Sequence, residues 1–191
     1  MEFLPFGATV DVQQKYKYVD PKRVVPSDLL KEALTYFERN RRAFKNQRFI
    51  TVVDLGRRSN LERMFIINMS TGAVTALRTT HGFGSDQNND GYAESFGNVS
   101  GSGKSSLGFY KVAEDYYGRF GHSIRLDGLS STNSRARARA VVVHGYDGVY
   151  EKRVIQSLSL GCFGLSWGVR DWVVNTLKGG SLLYAGVSKQ K

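Results

Sequence analysis

Seven short segments rich in β-branched and apolar residues recur along this chain, and clusters of glycine and asparagine separate them. Short segments of this composition between turn-forming residues are typical of β-strands. We predict strands at 49–55, 64–68, 73–79, 107–112, 123–126, 140–143 and 181–185. With 191 residues, the chain is long enough for one compact domain, and these strands predict that the domain is built on a sheet.

A helix precedes the predicted strands. From Ser27 onward, apolar residues recur at helical spacing as far as Phe44, and Asp28 lies in the first turn, where the helix dipole favours an anion. This pattern predicts an amphipathic helix of about five turns. Residues 1–26 hold all three prolines and have no sustained periodicity, so we expect an N-terminal arm there and the folded domain at 27–191.

A second, shorter helix is predicted after the only cysteine. Apolar residues lie at helical spacing over 169–177, and Ser166, shortly before them, is a preferred capping residue. Lys178-Gly179-Gly180 then supplies the cation and the glycine that commonly end a helix. The domain is therefore expected to combine a sheet with one or two packed helices.

Basic residues outnumber acidic ones, with 27 Lys and Arg against 17 Asp and Glu, for a formal charge of +10. This balance favours nucleic acid, anionic lipid or an acidic wall polymer as a partner and does not choose among them. The sequence has no RNA-binding pattern of basic and aromatic residues and no helix-turn-helix signature. We therefore expect no nucleic-acid partner.

Two basic clusters have simple structural interpretations. The longer one lies in the first helical pattern and is most simply a solvated helix face. It comprises Arg39, Arg41, Arg42 and Lys45. In the second cluster, Arg135, Arg137 and Arg139 alternate just before an apolar strand. An extended conformation would place these three on one face, where they either meet an anion or form an exposed strand edge.

Two ligand-binding patterns are incomplete. The segment 101–105 resembles a phosphate-binding loop, but Asn98 occupies the position of its first glycine, and a strand pattern follows in place of a helix. The segment 86–91 alternates oxygen ligands before a glycine, as a calcium loop does, but Gly97 occupies the position of the closing glutamate. We expect no nucleotide binding, and at 86–91 we favour a plain loop over a bound cation.

The three histidines have no paired spacing, so we expect no metal site and no cofactor.

Cys162 is the only cysteine, so an internal disulfide is excluded and thiol chemistry is confined to one atom. His144 ends an apolar strand and is followed by Gly145, which leaves room for a substrate backbone. Gly161 and Cys162 offer consecutive backbone N–H groups for an oxyanion. This arrangement predicts a nucleophile with its base, in which pairing with the imidazole lowers the pKa of the thiol. The alternative is an unreactive buried cysteine and a structural histidine.

These residues resemble the signature of L,D-transpeptidases that have a YkuD-like catalytic domain. The signature is His144-Gly145 and then Ser159-Leu160-Gly161-Cys162, with the histidine and the cysteine 18 residues apart. Further segments resemble one subgroup of murein L,D-transpeptidase catalytic domains and extend the likeness over residues 27 to 187. They are Thr79-Thr80-His81-Gly82, Ser105-Ser106-Leu107-Gly108-Phe109-Tyr110, Tyr116-Tyr117-Gly118, Leu126-Asp127-Gly128-Leu129 and Lys178-Gly179-Gly180-Ser181.

Three positions depart from the family pattern. Leu160 stands in place of a frequent histidine, Phe163 in place of a smaller apolar residue, and Gly164 in place of a frequent arginine. None of the three removes the nucleophile or the base. They affect the positioning of substrate, because a glycine cannot make the contacts of an arginine.

The resemblance implies a mainly β (α+β) catalytic domain at 27–191, a YkuD-like β-sandwich with an N-terminal helix and a short helix after the catalytic cysteine. It implies an L,D-transpeptidase that cleaves a peptidoglycan stem peptide between diaminopimelate at position three and D-alanine at position four. A thioester acyl-enzyme would give three-to-three crosslinks or amino-acid exchange. The alternatives are an L,D-carboxypeptidase that trims tetrapeptides to tripeptides, and a peptidoglycan-binding protein without turnover.

The resemblance also assigns roles to individual residues. Cys162 is the nucleophile, His144 is its base, and the carbonyl of Gly145 orients the histidine. Ser159 supports the loop, and the N–H groups of Gly161 and Cys162 stabilise the oxyanion. Three further residues are candidates for a substrate-binding cleft wall, with packing of the loops as the alternative. These candidates are His81, Ser106 and Tyr146.

By the same resemblance, the expected partners are peptidoglycan stem peptides and carbapenem-type inhibitors, and the expected state is a monomer. The first 30 residues have no basic segment followed by an apolar one, and no stretch reaches the ~18 apolar residues of a transmembrane helix. Because the substrate polymer lies outside the inner membrane, we expect the protein in the periplasm or cell envelope. We also expect an export signal that this sequence does not include.

Overall fold

Eight strands form one mixed sheet in a computed structural model of the chain, which describes residues 11–189. The strands are β1 (Phe49–Asp54), β2 (Met64–Asn68), β3 (Val74–Leu77), β4 (Gly108–Gly118), β5 (Gly121–Gly128), β6 (Val142–Gly145), β7 (Phe163–Leu165) and β8 (Leu182–Gly186). Their order across the sheet is β3-β2-β1-β8-β4-β5-β6-β7. β1 pairs with β8, and β6 with β7, in parallel, whereas the other neighbours are antiparallel.

Helices precede the sheet and follow the cysteine. They are α1 (Val12–Lys15), α2 (Ser27–Arg39) and α3 (Trp167–Leu177), with short 3₁₀ turns at Arg41–Ala43, Phe83–Ser85 and Ser131–Asn133. Within residues 11–189, no helix combines the length and the apolar character needed to cross a bilayer. The predicted mainly β class, with a helix before the sheet and one after the cysteine, is confirmed. The predicted sandwich takes the form of one curled sheet with a helix on each face.

The two faces of the sheet support separate hydrophobic cores, because successive side chains of a strand point to opposite faces. Ile50 and Val52 of β1 pack with α2 in one core. Val53 and Leu55, at the end of the same strand, pack with α3 in the other core. A strand covered on both faces is expected to have a continuous apolar sequence, and this explains why β1 does not alternate with polar residues.

Helix α2 ends earlier than the sequence predicts. The apolar periodicity continues to Phe44, but the helix stops at Arg39. Asn40 ends it, because its backbone N–H and its side-chain Nδ2 both donate to the carbonyl of Tyr36, at 3.0 and 2.9 Å. Phe44 still reaches the core from the end of the following 3₁₀ turn. The basic cluster within 39–45 is exposed, as expected for a solvated surface.

The predicted extended conformation of 135–139 is wrong. These residues form turns, in which the N–H of Arg139 bonds the carbonyl of Arg135 at 2.8 Å. The turns send the side chains in different directions. Arg137 pairs with Glu114 and Asp127, whereas Arg139 reaches the carbonyl of Lys104. Alternating positions share a face only in an extended segment, so the spacing does not group these side chains.

Strand β7 and the start of α3 differ from the predictions. β7 is not predicted, because three residues with a glycine at the centre give no strand signal. Ser166 occupies the predicted capping position of α3, but its hydroxyl donates to Glu151 at 2.6 Å instead of capping the helix. The predicted end of α3 is confirmed, with Leu177 as the last helical residue and Gly179 at φ +83.

The described part of the predicted N-terminal arm packs against α2. Tyr16, Val19 and Val25 are buried in the same core as α2. The Tyr16 hydroxyl also donates to Glu38 at 2.5 Å. Residues 1–10 of the arm lie outside the described residues, and the boundary after residue 26 stays a prediction.

Phe37→Ala should lower the free energy of unfolding by about 3–5 kcal/mol, because it removes a large buried side chain and leaves a cavity. Phe37 is only 1% exposed, between α2 and the sheet. Urea unfolding followed by circular dichroism measures the change. Lys31→Ala, on the exposed side of α2, is the matched control and should change the value by less than ~0.5 kcal/mol. Equal losses in the two variants would contradict this assignment of the helix faces.

Candidate active site

The parallel pairing of β6 with β7 sets the position of His144 relative to Cys162. Val143 pairs with Phe163. Cys162 immediately precedes this pair on one chain segment and His144 immediately follows it on the other, so the two are diagonal neighbours across the pair. Val143 and Phe163 face the core, so by alternation Cys162 and His144 face the opposite side together.

His144 is held as a neutral base. Its Nδ1 lies 2.7 Å from the carbonyl oxygen of Gly145, which can only accept a hydrogen bond. Nδ1 therefore carries a proton, and Nε2 keeps a lone pair that can accept another. The ring is buried, and burial lowers the pKa of His144 below its usual value. The imidazole is therefore neutral at neutral pH.

Aromatic rings fix the plane of the imidazole. Phe120 stacks on His144 with 4.4 Å between ring centroids, and Tyr146 meets the ring edge-on at 5.5 Å. The requirement for glycine at 145 differs from the predicted one, because a Cβ on Gly145 would lie 2.4 Å from the ring of Trp167. The glycine therefore makes room for Trp167, and the predicted room for a substrate backbone stays a prediction.

The Ser159 hydroxyl closes the loop that carries Cys162. Its Oγ accepts the N–H of Gly161 at 3.1 Å and donates to the carbonyl of Cys162 at 2.8 Å. The Thr80 hydroxyl donates to the same carbonyl at 3.0 Å. Gly161 has a φ of +112, a backbone conformation that a side chain would strain. These bonds are the contacts through which Ser159 would support the loop.

The two predicted oxyanion donors differ in availability. The N–H of Gly161 already donates to Ser159, so this N–H would have to exchange that bond for a bond to an oxyanion. The Ser159 hydroxyl does not engage the N–H of Cys162. Ser159 therefore distinguishes the two predicted donors, since it holds the N–H of Gly161 and not that of Cys162.

The thiol of Cys162 is partly buried and protonated in this arrangement. Its Sγ donates to the carbonyl of Ala140 at 3.6 Å. Burial raises the pKa of the thiol, and the backbone of Val142 and the guanidinium of Arg139 lower it by less. This direction is opposite to the predicted one, and within residues 11–189 no hydrogen bond joins Sγ to the imidazole of His144. Thiol and imidazole are both neutral in this arrangement.

The glycine-rich segment 101–105 packs against the cysteine loop, and strand β4 follows it in place of a helix. A Cβ on Gly82 would lie 2.0 Å from the carbonyl oxygen of Gly103 and 3.0 Å from the Cα of Gly161. The Ser105 hydroxyl accepts the N–H of Gly82 at 3.0 Å. Three chain segments therefore meet backbone to backbone, and this close approach requires the glycines.

Of the three predicted substrate-binding residues, only Tyr146 lies beside His144 with part of its side chain exposed. His81 and Ser106 are 0% and 1% exposed. The Ser106 hydroxyl accepts a bond from Arg139 at 3.0 Å. Buried side chains that are already hydrogen-bonded do not contact a substrate directly, so we correct the predicted cleft-wall positions of His81 and Ser106 to packing of the loops.

His81 belongs to a buried polar chain. Its Nδ1 accepts from Arg63 at 2.8 Å, because a guanidinium can only donate. Its Nε2 therefore carries the proton and donates to Asp86 at 3.1 Å. Burial is the main cause that lowers the pKa of His81 to about 4 and that of Arg63 to about 9. His81 is neutral at physiological pH, and its ring links Arg63 to the loop that begins at Asp86.

The loop at 86–91 is closed by its own carboxylate. Asp86 accepts the N–H groups of Asp90 and Gly91, at 3.1 and 2.9 Å, in addition to the ring of His81. Hydrogen-bond donors thus point at the oxygens that a calcium ion would need, and this favours the plain-loop interpretation. Within residues 11–189, no three His, Cys, Asp or Glu side chains are grouped so that they could hold a metal ion.

Three residues at this site are not assigned to it by the sequence, namely Phe120, Trp167 and Arg139. Phe120 lies in the turn between β4 and β5 and gave no signal. Trp167 starts α3, two residues before the helix that was predicted. The basic run at 135–139 did suggest an anion-binding face, but the extended conformation assumed for it concealed that Arg139 alone approaches the cysteine.

A thiol and an imidazole on one face of a parallel strand pair, with a backbone N–H beside the thiol, form a site suited to acyl transfer. The YkuD_2 family model, which describes an L,D-transpeptidase catalytic domain, matches residues 21–185. The match covers most of the chain, so the chain belongs to this family. A search of curated proteins gave no match.

Several solved structures have a related fold. An L,D-transpeptidase from Mycobacterium smegmatis is 12% identical, with a TM-score of 0.46, over 73% of this chain and 59% of that chain. L,D-transpeptidase 3 from Mycobacterium tuberculosis is 11% identical, with a TM-score of 0.48, over 73% of this chain and 61% of that chain. An L,D-transpeptidase in complex with imipenem is 12% identical, with a TM-score of 0.45, over 73% of this chain and 59% of that chain. The matched region spans about three fifths of each solved chain. The assignment to the family therefore comes from the family match and not from these structures.

Iodoacetamide should modify Cys162 at a rate that rises only above the pH of ~8.5 that is typical of a free cysteine. The reason is that burial raises the pKa of this thiol. Because Cys162 is the only thiol, the mass of the intact protein measures the reaction. N-acetylcysteine under the same conditions is the control for reagent reactivity. A rate profile centred well below that of the control would contradict the assignment of a neutral thiol.

Proposed function

We propose that the chain is a cysteine L,D-transpeptidase that acts on peptidoglycan stem peptides. One observation carries the proposal: Cys162 and His144 share a face of the β6–β7 pair in a chain that belongs to the L,D-transpeptidase catalytic domain family. The acyl donor would be a tetrapeptide, cleaved between diaminopimelate at position three and D-alanine at position four.

The first half of the proposed reaction forms a thioester. Nε2 of His144 takes the proton from Sγ of Cys162, and Sγ forms a bond to the diaminopimelate carbonyl carbon. The carbonyl oxygen becomes an oxyanion, which accepts the N–H of Cys162 and also that of Gly161 once this N–H leaves Ser159. When the oxyanion collapses, the C–N bond breaks, and the amine of D-alanine takes the proton that His144 holds.

The second half of the reaction transfers the acyl group. An amine from a second stem peptide attacks the thioester carbonyl and loses a proton to Nε2 of His144. The C–S bond then breaks, the sulfur regains that proton, and a three-to-three crosslink results. A free D-amino acid as acceptor would give exchange, and water would give the tripeptide of an L,D-carboxypeptidase.

The proposed role of Gly145 is to orient the base. Its carbonyl holds Nδ1 of His144, so Nε2 is the nitrogen available to the thiol. A neutral carbonyl here takes the place of the acidic third residue that many nucleophile and base pairs use. Phe120 and Tyr146 limit rotation of the ring. These contacts support a base with one defined acceptor atom.

We infer that the protein acts outside the cytoplasm, in the periplasm or cell envelope, because its family acts on the cell wall. A formal charge of +10 suits an acidic wall polymer as the surroundings of the enzyme. Stem peptides are the proposed partners and a monomer is the proposed state, since the site is assembled from a single chain.

Cys162→Ala should reduce the release of D-alanine from purified disaccharide tetrapeptide to background, because no other thiol can form the thioester. Mass spectrometry of the products measures this release and also separates crosslinked, exchanged and trimmed products. His144→Ala should fail in the same way while its thiol can still be alkylated at high pH. Circular dichroism confirms that both variants fold. Turnover by Cys162→Ala would refute the mechanism, and a folded parent that binds donor without turnover would support the non-catalytic alternative.

Imipenem should add one adduct to the parent protein and none to Cys162→Ala, because the β-lactam carbonyl offers the thiol an acyl group. Intact-mass spectrometry after timed incubation measures the adduct. The raised pKa of the thiol predicts that the adduct forms faster as the pH increases. An adduct on both proteins would place the reaction elsewhere, and no adduct on a parent that turns over stem peptide would remove carbapenems from the partners.

A further inference from the structure

The guanidinium of Arg139 lies near Cys162 and has no part in the proposed reaction. Its Nη1 donates to the carbonyl of Gly97 at 2.9 Å and to the hydroxyl of Ser106 at 3.0 Å. Its Nη2 donates to the carbonyl of Lys104 at 2.5 Å. All three acceptors are uncharged. The guanidinium is thus fixed in place without being neutralised.

The lack of a counter-ion separates Arg139 from its neighbour. Arg137, two positions earlier, pairs with Glu114 and Asp127. Within residues 11–189, the guanidinium of Arg139 forms no ion pair with a carboxylate, although the side chain is partly buried. Removing a charge from water is costly unless an opposite charge or strong hydrogen bonds compensate. A partly buried cation of this kind is therefore a site that an anion would stabilise.

The three hydrogen bonds leave the Nε donor of the guanidinium unused. They start from Nη1 and Nη2, whereas Nε–H has no acceptor within residues 11–189. Nε–H shares one edge of the planar group with an N–H of Nη2. Parallel donors at this spacing match the two oxygens of a carboxylate.

The position of the guanidinium points to the acyl donor. Nη2 would lie 3.3 Å from a Cβ placed on Gly161, the residue before the nucleophile. Its charge is also close enough to favour the thiolate of Cys162. An anion bound to Arg139 would therefore lie next to the bond that the thiol attacks.

We propose that Arg139 binds a carboxylate of the acyl donor beside Cys162 and thereby makes the site selective for donors that carry a free carboxylate. This inference rests on the proposed function, because that function supplies the peptide. Two carboxylates of such a donor lie close to the scissile bond. They are the C-terminal carboxylate of the leaving residue and the side-chain carboxylate of the diamino acid at position three.

Three donors distinguish these carboxylates in one experiment. They are the disaccharide tetrapeptide, its C-terminal amide, and the tetrapeptide with an amide on the side-chain carboxylate at position three. The rate of release of the C-terminal residue gives kcat/KM for each donor by mass spectrometry. Amidation also changes the leaving amine, so the quantity compared between proteins is the ratio of kcat/KM for the acid to kcat/KM for the amide.

Arg139→Gln should lower one of these two ratios by roughly ten- to hundredfold, the loss expected for a charge-assisted, bidentate contact. A change confined to the C-terminal amide ratio would identify the leaving residue, and a change confined to the other ratio would identify the diamino acid. Arg139→Lys, which keeps the charge and loses the fork, should retain part of the selectivity. Arg135→Gln is the matched control, because it removes one exposed charge from the same turn, and its ratios should equal those of the parent.

A second measurement keeps the inference testable if turnover is absent or the glutamine variant unfolds. Binding of the same donors to Cys162→Ala, with and without Arg139→Lys, gives the ratio of Kd values by calorimetry. No turnover by the parent, with intact acid-over-amide selectivity in binding, would overturn the proposed function and leave the Arg139 site standing. Equal loss of activity on all three donors, with unchanged ratios, would show that Arg139 only clamps the loops, and would overturn the inference.

Discussion

Parallel pairing between β6 and β7 is the interaction on which the site depends. β7 has only three residues, and its register places Phe163 opposite Val143. A slip of one residue would move Cys162 into the core and Phe163 onto the open face, because side chains alternate along a strand. The register is therefore a condition for bringing thiol and imidazole to the same face. Its stability must come from contacts outside so short a strand.

Hydroxyl groups supply those contacts. Thr80 accepts the N–H of Gly164 at 2.8 Å and donates to the carbonyl of Cys162, so one side chain bridges two residues of the short strand region. Ser159 ties the same carbonyl to the N–H of Gly161. A Cβ on Gly164 would lie 2.9 Å from Thr80, and this explains why the position is a glycine. Side-chain hydroxyl groups therefore hold the edge strand β7, which is too short to form a long series of backbone hydrogen bonds with β6.

The sequence predicts the parts of this structure that depend on periodicity. β2 has the predicted bounds, 64–68, because a run of four apolar residues starts directly after Arg63 and ends at Asn68. β7 could not be predicted, since part of its support comes from the hydroxyl of Thr80, which is distant in sequence. The end of α2 was missed because the Asn40 amide competes for a helix carbonyl, which apolar spacing does not report.

At the site, the signature predicts a nucleophile and a base but not their surroundings. The order of His144 and Cys162 along the chain could be read directly. The proximity of Trp167 to Gly145 could not, because it depends on the angle at which α3 leaves β7. Burial of His81 was equally inaccessible, since its partner Arg63 lies just before β2, away from His81 in sequence. Motifs locate side chains in the sequence, whereas exposure and counter-ions emerge only from packing.

The neutral state of the thiol and the imidazole follows from burial of both groups. Burial raises the pKa of Cys162 and lowers that of His144, and both shifts favour the uncharged form. Proton transfer between them in the free enzyme would create two charges in a poorly solvated place. In the proposed reaction the negative charge develops on the substrate carbonyl oxygen, where the backbone N–H of Cys162 can stabilise it, so the transfer is coupled to attack.

This coupling also protects the thiol. Oxidation of cysteine follows its thiolate character, so a protonated thiol reacts slowly with oxidants. Such protection matters in the compartment proposed for this enzyme, where oxidising conditions prevail and where Cys162 is irreplaceable as the single thiol. Arg139 favours the thiolate, but burial outweighs it in the free enzyme. A carboxylate bound to Arg139 would offset the positive charge of the guanidinium. Recognition of the donor and stabilisation of the thiolate would then depend on the same guanidinium, so its position has to serve both.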